Sequence, residues 1–428
     1  MLAAMPSPVP RQDARTVDGP SIRVLPHRAP GDHPICVMDY RYSAFCWTRL
    51  QAASQIGPVL GLEMSSDFRA YAWEKIERKG DFTRVTLFPE GEADDAPVAE
   101  MLTRLNCTLD EHRPAAVAVV GWAFKWSLGA LAWCLRNNVP AILLSDSTAI
   151  SNERVWYKEL IKRRLVRLYS SAIVAGSPQR DYVASLGMPV SRIFPGWDIV
   201  DNDYFATGAR RARANIAEVR RKRELPENYF LSINRFVEVK NLRRLMLAYQ
   251  QYRSAAGPAA WKLVLAGDGP LMPDVLRWRT ELALEQDVLL PGFKQYPDLP
   301  EFYGPARAFI LASTSETWGL VVNEAMASGL PVLISNRCGC AHDLVAEGRN
   351  GFSFDPLDTD GLARCMLRLS GPESDLRAMG ETSSDIISRW SPEIWAQSLQ
   401  LASDVAMASP RPASNTVDHA LIHHLIHR

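Results

Sequence analysis

The chain has 428 residues, 47% hydrophobic and 22% charged, which is ordinary for a folded enzyme and more than one compact core usually holds, so two domains are expected. Lys plus Arg and Asp plus Glu both number 48, which excludes a global positive field able to recruit nucleic acid or an anionic membrane. No stretch reaches the ~18 uncharged apolar residues that a membrane-spanning helix needs, and the opening MLAAMPSPVPRQDARTVDGPS has no apolar core, so neither secretion nor a membrane span is expected.

Residues 1–30 are rich in Pro, Arg, Asp and Ser without a hydrophobic period and read as a disordered tail. From Pro34 short apolar runs follow one another: ICVMDY, TRVTLF, AAVAVVGW, AILLSDS and SAIVAGS. Between them, 101–112 and 127–137 carry apolar residues at helical spacing, the alternation of a parallel sheet covered by helices. This first Rossmann-like domain spans 31–205. A polar, basic stretch over 206–226, GARRARANIAEVRRKRELPEN in its setting, suits a solvated helical linker ending near Pro226.

The alternation then begins afresh with YFLSINRF, WKLVLAGD, VLLPGF, ARAFILAS and PVLIS, with helices predicted over 242–253, 272–283, 299–303 and 319–328. The second domain therefore spans 227–388. The fold class is α/β, two facing doubly wound domains. Ser391 as cap and Pro392 in the first turn start a helix within 389–407 that packs back across the domain junction. The remainder, 408–428, with its His-rich HALIHHLIHR, reads as a flexible tail.

Two such domains place ligands in the crevice at the carboxyl ends of their strands. In SETWGLVVNEAMASGLPVLIS, residues 315–335, Gly319 opens a helix after a strand and loop, Gly329 closes it, and Pro331 leads into the next strand. Unpaired amides at Gly319 and Leu320, with the positive end of the helix dipole, suit a diphosphate. Glu316 before that turn and Glu324 on the helix can accept hydrogen bonds from sugar hydroxyls. Arg235 and Lys240, just after the domain's first strand, are two cations able to neutralise a diphosphate. Taken singly, each has a bland reading: a capping acid, a solvated helix glutamate, two surface charges beside a turn.

The order of Arg235 and Lys240, LVLAGDGP, VLLPGF, SETWGLVVNEAMASGLPV, CGCAHDLV and GRNGFSFDP resembles that of retaining glycosyltransferases of family 4, with the GT-B architecture. The resemblance implies transfer of a sugar from a nucleotide diphosphate sugar to a hydroxyl acceptor, with retention of configuration. It places Glu324 on the ribose, Glu316 on the transferred sugar, and Arg235 and Lys240 on the diphosphate, with Trp318, Gly319, Leu320 and Gly267 on the donor side. No metal or other cofactor is required in this scheme. The first domain resembles the family through LLSDS, IVAGSPQRDYVASLGMP and VDNDYF. It departs from it where the family carries a Gly-Gly loop and a His, since positions 38–47 read MDYRYSAFCW and the later strand ends GWAFKW. Gly121 and Trp122, with Lys125 nearby, are placed on the acceptor side without a catalytic role.

Gly267 and Gly269 in LAGDGP invite a dinucleotide reading, but Met272 stands where the third glycine belongs, so a tight turn is the better account. The seven cysteines are odd in number and mostly set in apolar runs, which suits buried thiols in a reducing cytoplasm; the lone pair Cys338 and Cys340 is no zinc site. WYKELIKRRLVRLY, residues 156–169, has two readings: a surface helix with its apolar stripe in the core, or a face resting on the inner side of an anionic membrane. Rival functions on the same architecture are a nucleotide-sugar epimerase and a non-catalytic nucleotide-sugar-binding scaffold.

Overall fold

The computed structural model describes residues 33–66, 78–150 and 154–428. The expected disordered segment 1–30 lies outside the described residues. The first domain is a parallel sheet of seven strands: β1 (Ile35–Asp39), β2 (Val59–Ser65), β3 (Thr83–Phe88), β4 (Ala116–Val120), β5 (Ala141–Ser145), β6 (Ser171–Val174) and β7 (Ile193–Pro195), in the order β3-β2-β1-β4-β5-β6-β7. The second is a parallel sheet of six: β8 (Tyr229–Arg235), β9 (Lys262–Asp268), β10 (Val288–Gly292), β11 (Ala308–Leu311), β12 (Val332–Ser335) and β13 (Gly351–Phe354), in the order β10-β9-β8-β11-β12-β13. In both, the strand order reverses beside the first strand of the domain, which opens a crevice above the carboxyl ends there.

The predicted apolar runs all form strands, because a strand covered on both faces reads as an unbroken hydrophobic run. Three strands were not predicted. β2, VLGLEMS, is buried throughout but interrupted by Gly61 and Glu63. Helix Ala44–Ser54 and the turn before it pass so close that a Cβ on Gly61 would lie 3.0 Å from Leu50 Cδ1 and 2.7 Å from the Tyr42 hydroxyl. The buried Glu63 carboxylate accepts from the Tyr42 amide at 2.9 Å, Arg84 Nε at 2.8 Å and the Thr86 hydroxyl at 2.6 Å, which offsets its desolvation. β7 and β13 are three and four residues long, too short for a periodic signal.

The stretch 206–226 is docked rather than solvated. Helices Asn202–Ala214 and Ile216–Arg223 bury Phe205, Ala209, Ala212 and Val219, while Lys222 and Arg223 pair with Glu301 of the second domain. Arg210, Arg211 and Arg221 occupy the outer faces of helices whose apolar sides are covered. After the second domain the chain returns: helix Pro392–Ala408, capped by Ser391, lies on helix Ala44–Ser54 and on the first sheet, with the Ser171 hydroxyl donating to Ala402 O at 2.8 Å.

The expected flexible tail at 408–428 is replaced by a helix, Thr416–His427, held by an Asn415–Asp418 capping box. Asp418 is fully buried and accepts from Arg164 Nε at 2.7 Å and Arg167 Nη2 at 3.0 Å; Ile422 and Ile426 enter the core beside helix Lys125–Arg136. Two apolar residues four apart and a cap suffice for docking; the histidines between them face outward and masked the pattern.

The largest core runs between the two domains and joins Trp197, Phe205, Trp318, Trp390 and Trp395. Two further cores cover the outer faces of the sheets. All seven cysteines are free, and five are buried.

Candidate active site

The crevice wall of the second domain is built by stitching the segment after β8 to the loop after β11. The Thr314 amide donates to Val239 O at 2.8 Å, and buried Asn241 Nδ2 donates to Ala312 O at 3.1 Å and Pro356 O at 2.8 Å. Asn241 sits at φ 58°, a left-handed conformation that Asn tolerates better than most residues. The stitching sets Lys240 on Glu316, whose carboxylate Oε2 receives Lys240 Nζ in an ion pair and the Ser313 hydroxyl at 3.3 Å. Both side chains are mostly buried, 16% and 19% exposed, so the pair is less screened than a surface one. Arg235 ends β8 with its side chain outward, level in register with Asp268.

Gly319 caps helix Leu320–Ala327 at φ 110°, a backbone state that a side chain would strain. The first amides of that helix have no acceptor within it. One turn on, Glu324 is buried and accepts the Tyr303 hydroxyl at 2.7 Å. Burial pushes its pKa up to about 7, against the smaller opposing effect of the Tyr303 hydrogen bond. Gly267 lets the β9 turn press on β8: at φ 146° its missing Cβ would lie 1.8 Å from Asn234 O, so this residue shapes the turn. The sequence puts Trp318 on the donor side, but its indole is 1% exposed and donates from Nε1 to Asn323 Oδ1 at 2.9 Å. Its side chain belongs to the interdomain core, which leaves only its backbone near the crevice.

The first domain supplies the facing wall, largely from residues that sequence reasoning passed over. Asp146, just after β5, accepts the Thr317 hydroxyl at 2.8 Å; Gln179 Nε2 donates to Thr317 O at 2.6 Å. The Ser177 amide, at the start of helix Ser177–Ser185, donates to Asp343 of the other domain at 2.7 Å. Asn323 Nδ2 donates to Asp198 O at 3.1 Å. Asp39 ends β1 and pairs with Arg49 at 3.4 Å. Burial raises the pKa of Asp39 and Asp146, and raises that of Asp198 most strongly, with Asp146 as its second cause. A lone acid closing an apolar run, as in ICVMD, AILLSD and GWDIV, was the available signal: such acids sit at carboxyl strand ends.

Gly121 and Trp122 follow β4 on this wall. The Gly121 amide donates to Leu144 O at 2.8 Å and its carbonyl accepts the Tyr169 hydroxyl at 3.1 Å; Trp122 meets Tyr182 edge-on at 6.3 Å. Among the described residues no group of three or more His, Cys, Asp or Glu could hold a metal ion.

Residues 215–384 match the family of glycosyl transferases group 1. The chain is 29% identical over 161 residues to the N-acetyl-alpha-D-glucosaminyl L-malate synthase of Bacillus anthracis, covering 38% of this chain and 41% of that protein. It is 34% identical over 121 residues to the alpha-monoglucosyldiacylglycerol synthase of Streptococcus pneumoniae, covering 28% and 27%. These matches thus span less than half of either relative. Among solved structures, Anabaena HepE in complex with UDP-glucose superposes with a TM-score of 0.65 at 17% identity, over 86% of this chain and 98% of that one. That likeness shows the fold, GT-B.

Proposed function

We infer that this chain, whose residues 215–384 match the glycosyl transferases group 1, moves a sugar from a nucleotide diphosphate sugar to a hydroxyl acceptor with retention of configuration. The observation that carries this reading is the Lys240–Glu316 pair set beside the Gly319 helix start, with Glu324 one turn further along. Lys240 and Arg235 face the diphosphate and, with the amides of Gly319 and Leu320, meet the charge that develops on the leaving oxygen. Charge compensation by these groups requires no metal. Glu316, released from Lys240 by the diphosphate, accepts a hydroxyl of the transferred sugar, and Glu324 takes the ribose. Gly121 and Trp122 face the acceptor. An epimerase does not fit the group 1 family, and a non-catalytic scaffold would have no need to keep Glu316, Glu324, Arg235 and Lys240 together.

The test is a panel of nucleotide diphosphate sugars, beginning with UDP-glucose, scored by thermal stabilisation of the whole protein. One donor should raise Tm by several degrees at a concentration of 100 Kd, since binding at that level adds about 2.7 kcal/mol. A panel that leaves Tm unmoved would sink the donor reading, and an inverted anomeric product would sink retention.

We propose further that the first domain rests on the inner face of an anionic membrane in a cytoplasmic setting. No helix among the described residues is long and apolar enough to cross one. Helix Trp156–Val166 nonetheless exposes Trp156 at 75%, Tyr157 at 49% and Leu160 at 57%, beside the outward Lys158 and Arg163. Apolar anchors ringed by cations suit an interfacial helix. The protein should sediment with phosphatidylglycerol vesicles and not with phosphatidylcholine ones, and Trp156→Ala with Leu160→Ala should abolish most of that binding. Equal recovery of the double variant would count against it.

A further inference from the structure

Asp198 follows β7 at the carboxyl edge of the first sheet, and both domains hold its backbone. The Trp197 amide beside it donates to Val174 O at 3.0 Å, and Asp198 O receives Asn323 Nδ2 from the second domain. Ile199 and Val200, next in the chain, are fully buried. Its side chain is nine-tenths buried, yet carboxylate Oδ2 has no hydrogen-bond partner.

The neighbouring groups are already engaged. Asp39, from β1, holds Arg49; Asp146, after β5, holds the Thr317 hydroxyl; Glu316, in the loop after β11, holds Lys240. Arg49, from helix Ala44–Ser54, directs Nη1 to Trp197 O at 2.8 Å and Nη2 to Asp39 and Cys46. Arg49 thus ties Asp39, at the end of β1, to the carbonyl next to Asp198, and Asn323 ties Asp198 to the helix that starts at Gly319, so Asp198 sits where the strand ends of the first domain meet the second. A buried polar atom without a partner costs stability, and a catalytic role or a bound group is among the accounts such an atom calls for.

We propose that Asp198 is a substrate-contacting residue, its carboxyl group taking a hydroxyl of the transferred sugar from the side opposite Glu316. This rests on the donor reading of the second-domain wall. Burial, with the acids Asp146, Asp39 and Glu316 nearby, raises the Asp198 pKa and so favours its neutral form. A neutral carboxyl both donates and accepts, which matches a sugar hydroxyl, and it does not repel the diphosphate as a fourth carboxylate would. The structure thereby places one hydroxyl-binding group on each domain, and the sugar is recognised when both meet it.

The experiment compares full-length Asp198→Ala and Asp198→Asn with the natural protein, using the donor that the panel identifies and its nucleoside diphosphate. Expected is an unchanged or higher Tm without ligand, since a buried unpaired group has been removed. The nucleoside diphosphate should bind within twofold of its normal affinity. The extra affinity of the intact donor over the nucleoside diphosphate, and the rate of donor cleavage with water as acceptor, should both fall roughly ten- to a hundredfold in the alanine variant. Asp198→Asn, which keeps a donor and an acceptor, should recover part of that loss. A lowered Tm with the sugar increment and cleavage rate intact would overturn the proposal in favour of a structural role. Parallel loss of nucleoside diphosphate affinity would overturn it too, by placing Asp198 behind the diphosphate site. If instead no donor stabilises the natural protein, the failure belongs to the donor reading.

Discussion

Replacing Lys240 with Met is expected to lower kcat by about two to three orders of magnitude, the usual consequence of removing one group that meets charge developing in the transition state. Lys240 Nζ is bound to Glu316 in the structure, so the substitution acts twice. On the proposed function it takes a cation from the departing diphosphate, and it leaves the largely buried Glu316 carboxylate without its cation. Because the first effect grows as the bond breaks, kcat and kcat/KM should fall together while the nucleoside diphosphate affinity changes much less. The double variant Lys240→Met, Glu316→Gln separates the two. In the absence of ligand it should be more stable than Lys240→Met alone, since the orphaned charge is gone, while its activity stays low. Steady-state rates with the panel's donor decide the matter: a Lys240→Met enzyme within threefold of normal kcat would remove Lys240 from the chemistry.

The second large effect concerns Glu324 and pH. With a folded pKa raised from 4.5 to about 7 by burial, this carboxyl binds a proton more tightly in the folded chain than in the unfolded one. Its contribution to stability is therefore fully present below pH ~4.5 and is lost as pH rises through about 7, amounting to roughly 3 kcal/mol across that window. Asp39, Asp146 and Asp198, also raised by burial, add to the same trend, so Glu324→Gln should flatten the ligand-free stability curve only in part. Donor binding has the opposite sign. If the ionised carboxylate accepts the ribose hydroxyls, donor binding releases a proton below pH 7, and donor affinity should weaken about tenfold for each pH unit further down. Calorimetry in buffers of different ionisation heat would read that proton. Glu324→Ala should raise the donor Kd by one to two orders of magnitude, the cost of losing hydrogen bonds to a charged acceptor, and a donor affinity as tight as normal would dismiss the ribose assignment.

The groups proposed for the donor wall could be ordered from the sequence because they are local in the chain or tied to strand ends. Glu316, Gly319 and Glu324 lie within one loop and helix, where spacing alone orders them. Arg235 and Lys240 follow the first strand of a doubly wound unit, where topology places ligands. Trp318 shows the limit of that logic: it stands in the same motif, yet its side chain turns into the interdomain core, because a large apolar surface gains more from burial than from lining a polar crevice. The terminal helix shows another, since its docking depends on Arg164 and Arg167, about 250 residues away, finding Asp418.

By itself, the sequence determined the two-domain α/β architecture and the order of the groups proposed for the donor side, since hydrophobic period, helix caps and glycine turns act over a few residues and are written in order along the chain. Only the tertiary structure decided which charges neutralise one another and which remain without a partner. Lys240 meets Glu316 across 76 positions, Asp146 and Gln179 reach Thr317 from the other domain, and Asp198 is left with an unpaired carboxylate oxygen. Burial and pairing depend on where two separately folded sheets come to rest against each other. That is settled by the shared apolar core around Trp197, Trp318, Trp390 and Trp395, to which no single segment of the chain contributes more than a part.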